Sequence, residues 1–369
     1  MNRPLNNDRG VALVLTLAIL AILTATAMQL ATYTGNAALT TLAEKDRFQA
    51  EQYAMSGIHL AMLILVDDAQ KNEQTSSRDS WADADKITRA VEAMGLDDRS
   101  LTITITDELS KIQVNALLQN FPGNDINPDQ QRIWENLFRH GFSGESAENE
   151  TDPATVINAL KDWLDSGDDD AVSGLSGAES DYYLSLDPPY LPSNGPIHHI
   201  SELLRVKGIS PEMLTQEGKD DQEEASLPIK LNDLFTVYGM DTGRAPDNRY
   251  RFPGQININT AEAHVLAALL PEGMEDFAAD LIEFREQKGE QEDIFLNLLD
   301  NGWYKRVIDL SEKEAARLDR VIRYSSDLFR VRCTAEKNHI RLVLSAVVKR
   351  EKQAATGEWR CRILQVERD

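Results

Sequence analysis

An uninterrupted apolar segment begins directly after a short charged leader that ends with Arg9 and Gly10. No charged residue occurs between residues 11 and 43, and residues 11 to 31 alone would span about 31 Å as a helix, enough to cross a bilayer core. Further on, apolar residues recur at steps of three, four and seven as far as Val66. The pattern predicts one helix of about 55 residues, from residue 11 to about residue 66, much longer than a globular helix.

Shorter elements follow this helix. Ile87, Val91 and Met94 lie at helical spacing, and Gly95 is suited to ending the helix that they predict. Residues 101 to 106 alternate strictly between apolar and polar, and residues 111 to 115 form a second short strand pattern. Together these two runs predict a β-hairpin.

Alternation with period two returns near the C-terminus in three runs, which begin at Phe329, Ile340 and Trp359. The runs are joined near residues 337–338 and 354–357, so they predict an antiparallel meander with one buried face. Between residues 116 and 323 the signals are helices and turn-rich loops. The predicted fold class is α+β: a long N-terminal helix plus an antiparallel β-sheet, with a large all-α insertion.

Charge limits the partners of this chain and orients it. Acidic residues outnumber basic residues by 61 to 38, for a formal net charge of -23. Because such a surface repels phosphate backbones, we expect no nucleic-acid partner. Arg3 and Arg9 precede the apolar segment, and no Lys or Arg follows until Lys45. Under the positive-inside tendency, the body of the protein lies outside the cytoplasm.

Two cleavage positions are compatible with the N-terminal pattern. A secretory signal would be cut after the small residues 25 to 27, which would release a soluble protein. A cut after Gly10 would retain the whole helix on a chain that begins at Val11, a pattern that resembles the leader of type IV prepilins and pseudopilins. Apolar character continues well past residue 27, which favours the second position. A cleaved secretory signal and an unprocessed anchor are the alternatives.

Carboxylates crowd the segment from residue 145 to residue 187, which holds twelve acidic residues and one basic residue, Lys161. Its centre is the run at 165–170, followed by Glu179 and Asp181. Calcium takes six to eight oxygen ligands in a flexible geometry, and could separate such charges. The spacing does not match an EF-hand loop, so the residues alone leave both a solvated acidic surface and a calcium site open.

Residues 256 to 287 resemble a helix-hairpin-helix unit, a motif that grips DNA phosphates through a glycine-rich turn. The turn at 271–275 carries two acidic residues and a single glycine, which disfavours phosphate binding and favours protein packing. A membrane-anchored periplasmic helix-hairpin-helix binding module, for DNA or protein, is therefore the alternative function.

No motif of a known catalytic class occurs: there is no nucleophile elbow, P-loop, His-Glu-x-x-His or Cys-x-x-Cys. We predict that the protein is not an enzyme. His198, His199 and Glu202 could ligate a metal, but adjacent histidines diverge in direction, so a surface or capping role is favoured. Nearby tyrosines are interpreted as loop packing: Tyr182, Tyr183 and Tyr190.

Cys333 and Cys361 fall on the first and third strands of the predicted meander. Across the middle strand they would lie about 9 to 10 Å apart. A disulfide tolerates only about 7 Å between Cα atoms, so we predict that they do not pair, despite the oxidising compartment.

Six short stretches have an order and spacing that resemble one family: RGVAL at 9–13, KIQVNAL at 111–117, DWLD at 162–165, GAESDYY at 177–183, SELLRV at 201–206 and ININTA at 256–261. The family is the type II secretion system minor pseudopilin K (general secretion pathway protein K). The resemblance implies a pilin-like fold with the boundaries 1–10 leader, 11–43 transmembrane and fibre-core helix, 44–115 pilin-like domain, 116–323 helical insertion and 324–369 C-terminal meander.

The same resemblance implies how the chain is processed and what it does. The prepilin peptidase would cut between Gly10 and Val11 and methylate the new N-terminus at Val11. The mature protein would be a single-pass inner-membrane protein with its body in the periplasm. It would join the minor pseudopilins I and J at the pseudopilus tip and start assembly on the inner-membrane secretion platform, for protein export across the outer membrane.

Two further expectations come from the resemblance. Pilin-like helices usually carry Glu five residues after the cut, where it neutralises the terminal amine of the subunit above, but here that position is Leu15. A subunit with nothing above it would need no such carboxylate. The family also implies calcium in the insertion, with these ligands in this chain: Asp165, Asp168, Asp170, Glu179 and Asp181.

Overall fold

The computed structural model describes residues 8–95, 100–141, 152–167, 172–210, 231–241, 249–289 and 294–368. Its N-terminal helix α1 spans Asp8–Lys71, which is 64 residues, and confirms the single long helix that the apolar pattern predicts. Residues 11 to 45 are all exposed. From Ala50 onwards one face of α1 is buried, including Ile58 and Leu65. The helix therefore has a free apolar half and a half that packs on the body.

The packed half of α1 lies on a four-stranded antiparallel sheet with the order β1-β6-β7-β8. The strands are β1 (Leu101–Asp107), β6 (Leu328–Lys337), β7 (Ile340–Lys352) and β8 (Trp359–Arg368). Gly57 allows the close approach, since a Cβ there would come within 2.9 Å of the Cys333 Sγ. The last three strands confirm the predicted meander.

The predicted hairpin between residues 101–106 and 111–115 is wrong. β1 pairs with β6, with Ile103 opposite Cys333, while β2 (Ile112–Gln113) pairs in parallel with β3 (Phe235–Thr236). The chain leaves β1 through a single 3₁₀ turn, in which the Asp107 carboxylate accepts the amide of Leu109 at 2.8 Å. This turn directs the chain away from the sheet, so the two strands enter different cores.

Short helices and loops make up most of the rest. Helix α2 (Ala84–Ala93) begins at the cap Asp83 and ends before Gly95, whose φ is +77°. Between the first and last parts of the sheet lie the remaining elements: α3 (Pro128–Gly141), α4 (Pro153–Leu164), α5 (Ser180–Leu184), α6 (Leu231–Leu234), β4 (Ile256–Asn257), α7 (Ala263–Leu269), α8 (Phe277–Glu286), α9 (Glu312–Val321) and β5 (Ile322–Arg323). Their shared core contains Trp134, Trp163 and Trp303.

A buried polar junction joins this insertion to the sheet and α1. The Asn257 amide nitrogen contacts the Asp107 carboxylate at 2.9 Å, the Thr75 carbonyl at 3.1 Å and the Ser326 hydroxyl at 3.0 Å. Arg350 adds bonds to the Asp68 carboxylate at 2.8 Å and to the Thr75 hydroxyl at 3.0 Å. These bonds connect the end of α1, β1, β7 and the insertion, which orients the insertion on the body.

Both cysteines are free, as the strand order predicts. Cys333 lies on β6 opposite Leu344, and Cys361 lies on β8 opposite Arg350, with β7 between them. The six-residue offset along β7 separates the two thiols further than the spacing across one strand alone.

Candidate metal centre

Three buried carboxylates converge at the end of α4. Asp162 lies in the last turn of α4, Asp165 is its C-cap, and Glu179 is the residue before α5. One carboxylate oxygen from each lies within 4.8 Å of the other two, and all three residues are buried. Oxygen atoms at this separation can bind one cation together.

Asp162 organises the loop that closes the cluster. Both of its carboxylate oxygens lie 3.1 Å from the Ser173 amide, and one also accepts the Ala178 amide at 2.8 Å. A Cβ at Gly177 would lie 2.1 Å from an Asp162 oxygen, so only glycine fits there without a shift. Gly177, the first residue of the GAESDYY stretch, therefore lets the loop pack against the Asp162 carboxylate.

Asp165 has an ammonium partner. The Lys161 Nζ lies 3.1 Å from an Asp165 oxygen and 2.7 Å from the Ser173 hydroxyl. Burial raises the pKa of the Asp165 carboxyl above its usual value, although the bond from Lys161 opposes the shift. Lys207 bonds to the same loop, but through the carbonyls of Ser176 and Gly177.

The cluster concentrates negative charge. Three buried carboxylates lie together, and like charges so close disfavour one another's ionised form unless positive charge lies among them. Calcium prefers hard oxygen ligands and tolerates irregular geometry, so the donor set fits that ion. The arrangement can hold a divalent cation and offers no nucleophile or base positioned for catalysis within the described residues.

Two of the five predicted calcium ligands, Asp165 and Glu179, belong to the cluster. Asp181 is exposed in the first turn of α5 and lies outside the cluster. Asp168 and Asp170 lie outside the described residues. Asp162 was not among the predicted ligands. Its spacing of three residues from Asp165 at a helix end, which places both on one face, is the signal that could have identified it.

The predicted processing site lies at the start of α1. Gly10 and Val11 are both helical, and 72% of Val11 is exposed. The described residues contain one helix, 10–71, with the length and hydropathy needed to cross a membrane. No part of its most apolar window is buried. Cleavage and methylation at this position stay predictions.

The helix-hairpin-helix region consists of α7, a turn and α8. The turn amide of Gly273 bonds to the Glu275 carboxylate at 2.8 Å. Asn136 of α3 donates to the carbonyls of Ala268 and Leu270, which end α7. The turn is thus held by its own carboxylate and by α3, and this arrangement agrees with the packing role expected from its acidic sequence.

Two other sequence patterns have structural roles. His199 caps the following 3₁₀ turn by accepting the Ser201 amide on Nδ1, and Glu202 accepts the amides of His198 and His199. This confirms the capping role. The tyrosine group packs on Trp163, whose ring centroid lies 5.1 Å from that of Tyr183.

A long N-terminal helix packed on an antiparallel sheet defines a pilin-like protein. A chain in one solved structure has this fold. That structure is described as the crystal structure of the GspK-GspI-GspJ complex from the enterotoxigenic Escherichia coli type 2 secretion system. The match has a TM-score of 0.61 at 18% identity, and covers 89% of this chain and 99% of that chain.

Comparison with known protein sequences points to the same family as the structural match. Family models described as type II secretion system (T2SS), protein K match residues 110–216 and 256–300. Type II secretion system protein K of Klebsiella pneumoniae is 29% identical over 276 residues, which cover 72% of this chain and 71% of the relative. Its counterpart in Pectobacterium carotovorum subsp. carotovorum is 30% identical over 213 residues, which cover 56% of this chain and 60% of the relative. The chain belongs to the type II secretion protein K family of minor pseudopilins, which are structural components of a secretion system.

Proposed function

We propose that this protein is the tip subunit of a pseudopilus and that it starts pseudopilus assembly together with the minor pseudopilins I and J. The observation that carries the proposal is the free apolar half of α1, residues 11 to 45, which has Leu15 where pilin-like helices usually carry Glu. Partners I and J are suggested by the related solved complex.

The missing carboxylate has a physical explanation at a tip. A carboxylate within the bilayer is costly unless a positive group pairs with it. In a shaft subunit, the amine of the subunit above supplies that group. A tip subunit has no neighbour above, so an apolar side chain at Leu15 avoids an unpaired charge.

The size of the head supports the same position. The insertion occupies about 200 residues between two parts of the sheet and has its own core. A helical fibre has little room for so large a head at every step, whereas the tip has one free end.

In this proposal the prepilin peptidase cuts between Gly10 and Val11 and methylates Val11. The mature protein then remains in the inner membrane through α1, with its body in the periplasm, until the secretion platform extracts it into the pseudopilus. The mass of the protein extracted from membranes tests this step. A chain beginning at Val11 agrees with it, whereas a soluble chain beginning at Met28 or an intact chain beginning at Met1 contradicts it.

We also propose that calcium binds the insertion through Asp162, Asp165 and Glu179, together with the predicted ligands Asp168, Asp170 and Asp181. The bound ion would place positive charge among the three carboxylates, beside that of Lys161. Its role would be to order the loop between α4 and α5, with no part in catalysis.

Position in the fibre is tested by crosslinking that distinguishes one subunit from another. A tip subunit gives crosslinks to I and J and none at regular intervals along the shaft. We expect Leu15→Glu to be neutral or harmful for pseudopilus initiation, and Leu15→Ala provides the matched control. Regular crosslinks along the shaft, or faster initiation in Leu15→Glu, would contradict the tip assignment.

The role of processing is tested separately by Gly10→Val. Because the peptidase requires a small residue before the cut, this variant should keep its leader and fail to initiate fibres. Gly35→Ala is the control on the same helix, since an added Cβ there meets nothing within 4 Å.

A further inference from the structure

A groove of about 970 Å³ lies between the insertion and the sheet face that points away from α1. On β7, Leu344, Ala346 and Val348 pack in the core with α1. Lys349 has the opposite orientation and lines the groove, beside Arg362 of β8. Residues 237–241 and 250–255 of the insertion form the facing wall.

The groove is basic on a strongly acidic protein. Six basic residues line it and two acidic residues accompany them: Lys111, Arg251, Arg320, Arg323, Lys349 and Arg362, with Asp241 and Asp327. The whole chain has a formal net charge of -23. A concave surface with the sign opposite to that of the whole molecule attracts anionic ligands locally and repels them elsewhere.

Two of the six basic groups are paired with carboxylates outside the groove lining, Lys111 with Glu108 at 3.1 Å and Arg320 with Asp129 at 2.9 Å, whereas the other four are neutralised only in part. Arg323 and Lys349 share one carboxylate, that of Asp327, at 3.7 and 3.6 Å. The Arg362 side chain makes no ion pair within the described ranges of the chain. The Arg251 side chain lies 3.3 Å from Asp241 but is 64% exposed. Among the residues that the structure describes, positive charge therefore remains available for an additional carboxylate.

Apolar side chains lie among the basic ones. Leu364 is 39% exposed and Met240 is 46% exposed, although both line the groove. Tyr250 and Phe252 lie on the insertion wall. β8 is also the edge strand of the sheet. Alternate basic and apolar contacts beside an open strand edge suit an extended peptide whose side chains alternate in direction.

We propose that this groove binds an extended acidic segment of a partner protein. Carboxylates of the segment pair with Lys349 and Arg362, and its apolar side chains contact Leu364 and Tyr250. The mixture of apolar and basic contacts selects acidic protein over a purely polyanionic ligand. The groove is separate from the carboxylate cluster at Asp162.

Photocrosslinking in cells that carry the complete secretion system tests the proposal. A photoreactive phenylalanine analogue replaces Leu364 in the full-length protein, and mass spectrometry identifies the peptide captured. We expect a segment of a different protein in which acidic and apolar residues alternate. Capture of a basic segment, of lipid, of a second copy of this chain, or of nothing would overturn the proposal.

Charge reversal provides the second test. The pair Lys349→Glu and Arg362→Glu should lower the crosslink yield at least about tenfold, which corresponds to about 1.4 kcal/mol, because both substitutions replace an attraction to the acidic segment by a repulsion. Arg341→Glu is the control, since its side chain is 70% exposed at the far end of β7 and pairs only loosely with Glu336. An unchanged yield in the double variant, or an equal loss in the control, would also overturn the proposal.

A purified system removes the dependence on folding in cells. The full-length protein in detergent is titrated with a fluorescent ten-residue peptide in which Glu alternates with Phe or Leu. We expect binding that weakens with salt and is at least about tenfold weaker for the Gln version of the peptide. Arg362→Gln, which should fold normally because Arg362 makes no ion pair with any described residue, is expected to weaken binding of the Glu peptide only. Equal binding of both peptides would contradict the proposal.

Discussion

Two buried carboxylates of the pilin-like body have surroundings that differ from those of the carboxylate cluster in the insertion. In the body, the fully buried Glu108 has two basic partners, Lys111 at 3.1 Å and Arg330 at 2.5 Å. Asp68 is also buried, and its partner is Arg350 at 2.8 Å. Each negative charge of these pairs has a positive side chain within the same domain.

The cluster of the insertion is arranged differently. Asp162, Asp165 and Glu179 lie together, with Lys161 bonded to Asp165. Glu108 and Asp68 of the body have basic partners within the protein, whereas we propose that the cluster in the insertion binds an ion from solution. The body should therefore be insensitive to a chelator, and the insertion should respond to it.

The largest effect should come from removing a counter-charge in the body. Arg350→Met leaves the Asp68 carboxylate buried without its partner and also removes bonds to Thr75 and Ser326. We expect a loss of about 3–5 kcal/mol in the free energy of unfolding. Urea unfolding of the soluble head, residues 44–369, measures this loss. The head can be used without the rest of α1 because residues 11 to 45 are exposed and do not belong to the core.

The matched control for this variant is Arg360→Met. Arg360 pairs with Glu351 on the sheet surface, where its side chain is 55% exposed. We expect a change below about 1 kcal/mol. If both variants lost the same free energy, burial would not be the reason for the effect.

Calcium removal should have the next largest effect, and only in the insertion. At a calcium concentration 100 times the dissociation constant, the bound ion adds about 2.7 kcal/mol to stability, and a chelator removes this contribution. Thermal unfolding of the soluble head with calcium and with chelator measures the difference. Magnesium should substitute poorly, because it requires a tighter octahedral site.

Variants assign that effect to the cluster. Asp162→Asn with Asp165→Asn should abolish the calcium response, whereas Asp187→Asn, an exposed residue of the same acidic segment, should retain it. Asp181→Asn decides whether that exposed carboxylate joins the site. Identical wild-type curves with calcium and with chelator would identify the segment as a solvated acidic surface.

A smaller effect is expected from Gly177→Ala. The added Cβ would lie 2.1 Å from the Asp162 carboxylate, so the loop must shift, at a cost of about 1–3 kcal/mol. We expect calcium affinity to fall as well, which calorimetric titration measures. Gly195→Ala is the control, since its nearest atom would be 3.7 Å away. Unchanged affinity in Gly177→Ala would place the ion elsewhere.

The smallest expected effect is a pH dependence of the stability of the body. Burial alone would raise the pKa of the Glu108 carboxyl, but the charges of Lys111 and Arg330 hold this pKa below its usual value. A lowered pKa means that ionised Glu108 stabilises the fold above the unfolded value of about 4.3. This contribution is lost as the pH falls through the lower, folded pKa.

Unfolding curves between pH 7 and pH 3 test that sign. The stability difference between wild type and Glu108→Gln should be constant above about pH 5 and should shrink as the pH falls further. Glu336→Gln, at an exposed pair with Arg341, should show little difference at any pH. A gap that widens in acid would contradict the assignment.

Local patterns were sufficient to predict much of this molecule. The uncharged run after Gly10 requires a long exposed helix, and α1 extends it to Lys71. Strict alternation predicted the three terminal strands, because side chains of a strand point to opposite faces with period two. The free cysteines followed from the strand order alone. Each of these features depends on neighbours within a few residues or on adjacent strands.

Only the tertiary structure decided which distant segments meet. The alternation in β1 is equally compatible with β2 and with β6, more than 200 residues away, and the 3₁₀ turn after Asp107 selects β6. The acidic segment indicated a cation site, but the packing of Gly177 on Asp162 decided which carboxylates converge. The basic groove likewise combines β7, β8 and the insertion. Sequence patterns report the periodicity and charge of a segment, whereas its long-range partners depend on how the separate cores pack together.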